Sequence, residues 1–419
     1  MKAVLLLALK SAWARRLTLG IAVVAIALAA ALLIAVERVR HDARQSFTQA
    51  ISGVDLVVGA RTGGIQLMLY AVFHSGTASN NIRYESYTTL SKHPAIAWSV
   101  PISLGDGHRG FPVIGTTPDY FTHYRYADAR PLTFTTGRAF SGIFEAVLGS
   151  EVARELGYRS GERITLTHGM SALGPAHGDK PFTVVGVLDP TGTPVDRSVH
   201  VSLEAMTAIH LDWVGGAPLP GLTIPAEHVQ KFDLTPKEIT AAFVGLKQRS
   251  DVFRVQRSIN DYRGEPLLAV LPGVALDELW QTLANVERTL FALSGLIVIV
   301  GLSGLCATLL AGLNERRREL AILRALGAGP WQLFLMLTCE GLCITTLGIA
   351  AGLALLAATL AGIAPFVQAH YGIVLSAGAP SLNEWRLMAA ILATGLLTSL
   401  VPGWRAWRLS LADGLTPRN

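Results

Sequence analysis

The sequence predicts four membrane-spanning helices, with an α+β domain inserted between the first and the second. Of the 419 residues, 51% are hydrophobic and only 16% are charged, but the hydrophobic residues are concentrated in a few dense runs. A long middle region instead has the composition of an ordinary soluble domain. Lys and Arg flank the hydrophobic runs, which is typical of membrane topology and argues against a nucleic-acid partner.

The first hydrophobic run, Leu17 to Val36, is twenty residues without a charge. As a helix it would be about 30 Å long, which matches the hydrocarbon core of a bilayer. A cleaved signal peptide is the competing interpretation, because Ala29–Ala31 offers small residues near a cleavage point. Apolar residues continue at helical spacing to Ile51, which favours a span that runs on as an amphipathic stalk.

The middle region alternates short strand-like runs with turn residues, which predicts an α+β domain of two subdomains. Ser150 is predicted to cap a helix that ends at Leu156, and a second helix is predicted from Leu203 to His210. The apolar run Leu67–Tyr70 is interpreted either as core or as a lipid-binding surface. Strands are predicted at 54–58, 95–104, 111–116, 146–149, 163–167, 182–188 and 239–246.

Three more hydrophobic runs follow. A second stalk leads into Thr289–Leu313, twenty-five uncharged residues rich in glycine. Small residues let helices approach closely, so this span packs either against a second copy of the chain or against the other spans. The third span begins near Pro330 and contains Glu340, a carboxylate that needs a partner or a shallow position in the membrane.

The charge distribution predicts that both chain ends are cytoplasmic and that the middle domain lies outside. Every flank rich in Lys and Arg then falls on the inside, while the loop from Ala364 to Glu384 has neither residue. The predicted boundaries are 1–16 for the N-terminus, 17–36 for the first span, 37–288 for the stalks and outer domain, 289–313 for the second span, 314–329 for a cytoplasmic helix and loop, 330–364 for the third span, 365–386 for a short outer loop, 387–404 for the fourth span and 405–419 for the tail.

The loop between the second and third spans has the pattern of a short basic amphipathic helix. Asn314 is a residue type that caps helix starts, and Leu320, Leu323 and Leu326 recur at helical spacing. Gly327 and the residues after it break this helix before Pro330 begins the next. Such a helix would suit the docking of a soluble partner; the alternative is a solvated loop whose positive charge fixes the topology.

This loop also carries a resemblance. The stretch ERRRELAILRALGAGPWQLFLMLTCEG, residues 315–341, resembles the signature of FtsX/MacB-type (type VII) ABC transporter permeases. The tail from Pro402 to Leu409 resembles the family's ending, although Leu411–Leu415 lacks the proline of the family motif. The segment Gly53–Asn81 resembles the start of the periplasmic domain in one branch of the family.

The resemblance implies a non-catalytic permease subunit in the bacterial inner membrane, with its large domain in the periplasm. It would relay ATP hydrolysis by a separate ABC ATPase subunit, which holds the ATP and Mg²⁺, to move a lipoprotein, peptide, drug or metal-related cargo. A homodimer, a periplasmic adaptor or substrate-binding partner, and membrane lipid are the other expected partners. The residues expected to couple to the ATPase are Glu315, Arg316, Arg317, Arg318, Glu319, Leu323, Arg324, Ala325, Gly327 and Ala328, with Glu340 as an intramembrane charge.

Two other functions fit the same layout. In an FtsX-like mechanical regulator, the outer domain would control a periplasmic hydrolase and nothing would be transported. In a receptor, the outer domain would sense a ligand, and a C-terminal signalling domain would be expected. The spans are rich in small residues and hold almost no charge, which agrees with a subunit that transmits motion rather than one that forms a polar channel.

Motifs for catalysis are missing from the sequence. No Gly-Lys pair occurs, so a phosphate-binding GxxxxGK[ST] loop is absent and ATP hydrolysis is expected on another chain. One weak metal-binding pattern is present, because His168, His177 and Asp179 lie in a Gly/Pro-containing loop. Solvated loop histidines are the simpler interpretation. His200, His210 and His228 are scattered and receive no predicted role.

Overall fold

The computed structural model describes residues 15–408, apart from 75, 77–79, 170–173, 215–216, 220, 222, 326, 372–374 and 377. Within them the chain divides into two compact units. One unit comprises Met1–Asp42, Ala284–Phe366 and Leu375–Asn419, and the other comprises Ala43–Leu283 and Val367–Val374. The predictions on the basic N-terminus, Leu326 and the tail motif at Leu411–Leu415 fall outside the described residues.

Among the described residues, four helices are long and apolar enough to cross a membrane, as predicted. They are Arg16–Gln49, Pro272–Glu315, Pro330–Tyr371 and Leu382–Arg408, called here the first to fourth membrane helices. The predicted stalks are confirmed as helical, because the first and second helices run unbroken well beyond their apolar segments. Phe47 of the first and Trp280 of the second meet edge-on, with ring centroids 5.7 Å apart.

Two helices extend beyond the segments that the sequence predicted for them. The second membrane helix continues through Asn314 to Glu315, so Asn314 is not a helix start. The third helix passes through Pro365 to Tyr371, and the predicted outer loop is shorter by those residues. Proline is tolerated here because a membrane helix satisfies the freed backbone groups through its neighbours.

The four membrane helices share an apolar core. The first helix contributes residues at helical spacing, among them Ile26, Ala30 and Ile34, all nearly inaccessible to solvent. Small residues permit close contact, as expected from the sequence. A Cβ on Gly352 of the third helix would stand 2.6 Å from the carbonyl oxygen of Ala27. Buried partners from the other helices include Leu302, Leu305, Leu309, Ile344, Ile349 and Ile391.

The other unit is built on a mixed sheet of eleven described strands. Its strands run in the order Leu267–Val270, Leu56–Ala60, Ala241–Leu246, Ile96–His108, Phe111–Thr116, Val199–Ser202, Glu145–Leu148, Phe182–Leu188 and Phe134–Gly137. Thr167–His168 pairs with the long strand Ile96–His108, and Arg163–Ile164 pairs with Phe182–Leu188. Two of the strand pairs are parallel and the rest are antiparallel. Two-stranded pairs join Ile82–Arg83 to Glu238–Ile239, Arg125–Tyr126 to Arg130–Pro131, and Trp213–Val214 to Ala217–Pro218.

Short helices cover this sheet, which confirms the α+β fold. They are Gly64–Ala71, Tyr84–Ser91, Asp119–His123, Ser150–Leu156, Leu203–Ala208 and Val252–Asn260, with 3₁₀ turns at Pro194–Arg197, Ala226–Lys231 and Arg249–Asp251. The run Leu67–Tyr70 belongs to the core, because Leu67, Met68 and Tyr70 are buried. The predicted cap at Ser150 was wrong: Gly149 precedes the helix and Ser150 is its first residue. Ser202 does cap the helix Leu203–Ala208, by accepting a hydrogen bond from the Ala205 amide.

Candidate functional site

The short helix between the second and third membrane helices spans Arg317–Ala325. Leu320 and Ala321 on its inner face are buried, and Leu323 is partly buried. Together with Leu313, Leu333, Leu337 and Ala406, Leu320 forms a small apolar cluster, against which Leu323 packs. The short helix is thereby held against residues from the second, third and fourth membrane helices.

Gly327 ends this helix as predicted. Its φ is +98°, a left-handed conformation that glycine adopts without strain. The amide of Ala328 donates a hydrogen bond to the carbonyl of Leu323 at 2.9 Å. The amide of Gly327 donates one to the carbonyl of Arg324 at 3.0 Å. This pattern is a Schellman motif, which satisfies the last free carbonyl groups of a helix. The third membrane helix then begins at Pro330, as predicted.

The outer face of the short helix is open. The side chain of Ile322 is 59% exposed, and Glu319 is also exposed. Glu315, Ala325 and Gly327 are exposed as well, while Arg324 and Ala328 are half-buried. The side chains of Arg317 and Arg318 lie outside the described residues.

Arg316 differs from the other predicted coupling residues whose side chains the structure describes, because it is buried. It occupies the turn after Glu315, and one guanidinium nitrogen donates to Glu340 at 3.0 Å. Glu340 also accepts a hydrogen bond from Arg15 at 2.7 Å. Gly312 leaves the room that this requires, because a Cβ there would collide with the Arg15 guanidinium. The intramembrane charge found in the sequence therefore has two partners, which the sequence alone did not identify.

A second ion pair lies farther along the first membrane helix. The guanidinium of Arg38 donates two hydrogen bonds to the carboxylate of Glu384, at 2.8 Å and 2.5 Å. It also donates to the carbonyl groups of Ser376 and Gly378, both at 3.2 Å. Both charged side chains are buried, and their paired fork geometry is the strongest arrangement of arginine with a carboxylate.

The sheet-containing unit brings four potential metal ligands together. Asp106, His168, His177 and His210 each present one ligand atom, and the four atoms all lie within 4.8 Å of one another. Two of the residues, His168 and His177, were singled out in the sequence. Asp179 was not placed with them: its carboxylate pairs with Lys180 at 2.8 Å. Asp106 and His210 were missed, because they lie far from the loop in sequence.

Local structure explains how these residues meet. Asp106 lies in the long strand Ile96–His108 at a register shift between Leu104 and Gly107, and His168 is its partner on the adjacent strand. The amide of His177 donates a hydrogen bond to the carbonyl of Leu166, the residue before the short strand Thr167–His168. This bond holds His177 beside that strand. His210 lies just beyond the helix Leu203–Ala208.

The electrostatics of this group centre on Asp106, which is 1% exposed. Burial acts to raise the pKa of Asp106, but interactions with His177 and His210 outweigh it and lower that pKa to about 2. Burial likewise acts to lower the pKa of His210, and the Asp106 carboxylate reverses this, so the pKa is raised. Asp106 therefore presents an ionised carboxylate to three imidazoles.

Comparisons with known proteins define the family. A family model described as the MacB-like periplasmic core domain matches residues 19–262, more than half of the chain. The chain belongs to the FtsX/MacB-type ABC transporter permeases. A model described as the FtsX-like permease C-terminal region matches residues 291–411 of this FtsX/MacB-type permease. Both matches confirm the resemblance seen in the sequence.

Among individual proteins, this FtsX/MacB-type permease is similar to the macrolide export ATP-binding/permease protein MacB of Azoarcus sp. (strain BH72). The two are 26% identical over 302 residues, which are 69% of this chain and 40% of that relative, so the chain spans about two-fifths of the relative's length. The crystal structure of the periplasmic region of MacB from Actinobacillus actinomycetemcomitans is 13% identical, with a TM-score of 0.34, over 56% of this chain and 95% of that one. The extracellular domain of the noncanonic ABC-type transporter YknZ from Gram-positive bacteria is 13% identical, with a TM-score of 0.30, over 52% of this chain and 99% of that one.

Proposed function

We propose that this chain is the membrane subunit of an ATP-driven ABC system that relays ATP hydrolysis to a domain outside the membrane. The ATP and Mg²⁺ would be held by an ABC ATPase on a partner chain. Membership of the FtsX/MacB-type permeases supports this function, as does the combined ATP-binding and permease name of the Azoarcus relative. The chain itself would bind neither nucleotide nor a catalytic cofactor.

One observation carries the proposal: the short helix Arg317–Ala325 is held on one face and open on the other. Its inner face packs on residues from three membrane helices, through the cluster of Leu313, Leu320, Leu333, Leu337 and Ala406. The Arg316–Glu340 ion pair ties the preceding turn to the third membrane helix. A partner that pushes on the exposed face would displace these helices together, because packed interiors transmit strain.

Two of the long helices would transmit that displacement along the chain. Arg16–Gln49 and Pro272–Glu315 are unbroken, and each contributes residues to both compact units. In the proposed topology the short helix is cytoplasmic, the membrane is the bacterial inner membrane and the sheet domain is periplasmic. The moving domain would act on a cargo such as a lipoprotein, a peptide, a drug or a metal-related substrate, with an adaptor or substrate-binding partner.

A homodimer is part of this proposal. Gly301 of the second membrane helix faces the first helix, because Ala25 and Ala29 lie within 4 Å of the position that a Cβ on this glycine would occupy. Around the corresponding positions on Gly295 and Gly304, no described atom outside the helix's own nearby backbone lies within 4 Å. Cross-linking of Gly304→Cys chains in lipid nanodiscs should capture dimers, and a failure to form dimers at any loading would contradict this part.

The coupling function is tested at Ile322. The chain is reconstituted with its ATPase in nanodiscs, and ATP hydrolysis is measured with and without the permease. Ile322→Glu should reduce the permease-dependent component by about tenfold or more, because a charge replaces an apolar contact at the proposed interface centre.

The matched control is Phe253→Glu, which places the same charge at another exposed apolar residue, 69% exposed on the helix Val252–Asn260. It should leave ATP hydrolysis unchanged. Full stimulation by the Ile322→Glu chain, or an equal loss in both variants, would overturn the proposed docking surface.

A further inference from the structure

The strongest additional feature is the group formed by Asp106, His168, His177 and His210, which the proposed relay function does not use. Three imidazole nitrogens and one carboxylate oxygen converge from a long strand, a short strand, a loop and a helix end. This donor set suits zinc and its first-row neighbours, which bind imidazole well. Calcium and magnesium prefer sites made entirely of oxygen ligands.

The spacing of the ligand atoms fits a tetrahedral ion. From His168 Nδ1, the distances are 3.0 Å to His210 Nε2 and 3.2 Å to Asp106 Oδ1. From Asp106 Oδ1, they are 3.6 Å to His210 Nε2 and 3.9 Å to His177 Nε2. Ligands about 2.0–2.1 Å from a tetrahedral zinc ion lie about 3.4 Å from each other. These four distances bracket that value, and the two remaining pairs, His177 with His168 and with His210, lie within 4.8 Å.

A second observation points independently to an ion. His177 is fully buried, and neither of its ring nitrogens has a hydrogen-bond partner among the described residues. The same holds for Oδ2 of the buried Asp106. Leaving a buried polar atom unpaired costs about 1–3 kcal/mol, so such atoms in a protein interior call for a ligand. A cation among these side chains would bind Nε2 of His177 and compensate the carboxylate charge.

The orientation of His210 supports the same assignment. Its Nδ1–H donates to the backbone carbonyl of Met206 at 2.8 Å, which leaves the lone pair of Nε2 facing the other three residues. A backbone carbonyl bonded to the far ring nitrogen is the usual way in which a metal-binding histidine is held. Trp213 closes one side of the group, since its ring centroid lies 4.2 Å from that of His177.

We propose that Asp106, His168, His177 and His210 bind one divalent transition-metal ion, and that zinc fits their donor set best. The ion would fasten the loop carrying His177 and the end of the helix Leu203–Ala208 to the long strand Ile96–His108. This site does not depend on the relay function proposed above.

The test uses the full-length chain in detergent, stripped of metal with a chelator and titrated with ZnCl₂ against a chromophoric competitor. Wild type should bind one zinc ion per chain, and Co²⁺ at the same site should give the intense visible absorption of tetrahedral cobalt. His168→Ala should weaken zinc binding by about 100-fold or more, because a direct ligand is lost. His168 is the preferred position because its side chain is 37% exposed, so the variant is expected to fold.

His210→Gln provides a second variant, and His228→Ala is the matched control, since His228 is an exposed histidine of the same unit. The control should bind zinc as wild type does, and circular dichroism should show the same fold for all four proteins. Wild type without stoichiometric zinc binding would overturn the proposal. Equal zinc affinity in wild type and both ligand variants would overturn it as well.

Discussion

The carboxylate of Glu340 accepts a hydrogen bond from the guanidinium of Arg316 at 3.0 Å, and so joins the first third of the third membrane helix to the turn that follows the second. Arg15 donates to the second oxygen of the same carboxylate. One acidic side chain thus holds two basic ones from distant parts of the chain. A buried charge in a membrane protein persists only where it is paired in this way.

Glu340→Ala should therefore destabilise the protein strongly. Removing one partner of a fully buried ion pair costs about 3–5 kcal/mol, because the remaining charge is left uncompensated. The side chain of Glu340 is 14% exposed, so this range is an upper bound for Glu340→Ala. Thermal unfolding in nanodiscs, followed by tryptophan fluorescence, should show a clear decrease in Tm. Glu315→Ala removes an exposed carboxylate near the same turn and should change Tm little. Equal values of Tm for the two variants would contradict a role for Glu340 in pairing.

Arg38 and Glu384 should show strong energetic coupling. Each single change, Arg38→Met or Glu384→Leu, leaves one buried charge without its main partner, and we expect a loss of about 3–5 kcal/mol of unfolding free energy. The double variant should be far less destabilised than the sum of the two, because an apolar pair of similar volume replaces the ion pair. Additive effects in this double-mutant cycle would show that the two side chains do not depend on each other.

Gly352 should be intolerant of even a single methyl group. A Cβ there would lie 2.6 Å from the carbonyl oxygen of Ala27, a backbone atom that moves only if the first membrane helix moves. Gly352→Ala should lower Tm in nanodiscs by several degrees, with a cost of about 1–3 kcal/mol for overpacking. Gly362→Ala is the control on the same helix, since no described atom outside the helix's own nearby backbone lies within 4 Å of its Cβ position. A loss of stability in the control alone would contradict the assigned contact.

His200 should make stability depend on pH. It is fully buried beside Tyr120 and Phe121, and burial, followed by the nearby His74, lowers its pKa to about 3. In the unfolded chain its pKa returns to the ordinary value near 6.5. The folded protein thus binds fewer protons than the unfolded chain below pH 6.5, so its stability is greatest above that value and falls as the pH decreases towards 3.

At pH 4.5 the contribution of His200 amounts to a loss of roughly 3 kcal/mol. His200→Phe keeps a ring among the same aromatic neighbours and should remove this part of the pH dependence. Urea unfolding of both chains between pH 7 and pH 4.5 would measure the difference. Parallel curves for the two proteins would show that His200 does not titrate on unfolding.

Periodicity and turn residues predicted part of the fold, but the strands Val199–Ser202 and Leu267–Val270 and the helix Val252–Asn260 were not predicted. Phe111–Thr116, Phe182–Leu188 and the helix Ser150–Leu156 lie where the pattern predicted them. The ends of the helices were less predictable, because they depend on contacts with other helices. The second membrane helix continues past Asn314, and the third continues through Pro365. A capping residue or a proline sets a local preference, which the packing of long helices overrides.

In the candidate sites, too, local features were predictable from the sequence and contacts between distant residues were not. Leu320 and Gly327 act as their local pattern predicted, because amphipathicity and helix termination are properties of a few consecutive residues. Pairing across the chain was not predictable, since Glu340 meets Arg15, and His168 meets Asp106 and His210, only after folding. His168 and Asp106 meet through the register of a strand pair, which the sequence does not specify.

The thirteen-residue strand Ile96–His108 has a further consequence for unfolding. Its first half pairs with Ala241–Leu246 and its second half with Phe111–Thr116 and Thr167–His168, so it belongs to both halves of the sheet. If either half melted, this strand would lose hydrogen bonds that the other half needs. Amide hydrogen exchange should therefore report a single cooperative opening across the eleven strands, with no independently folding lobe.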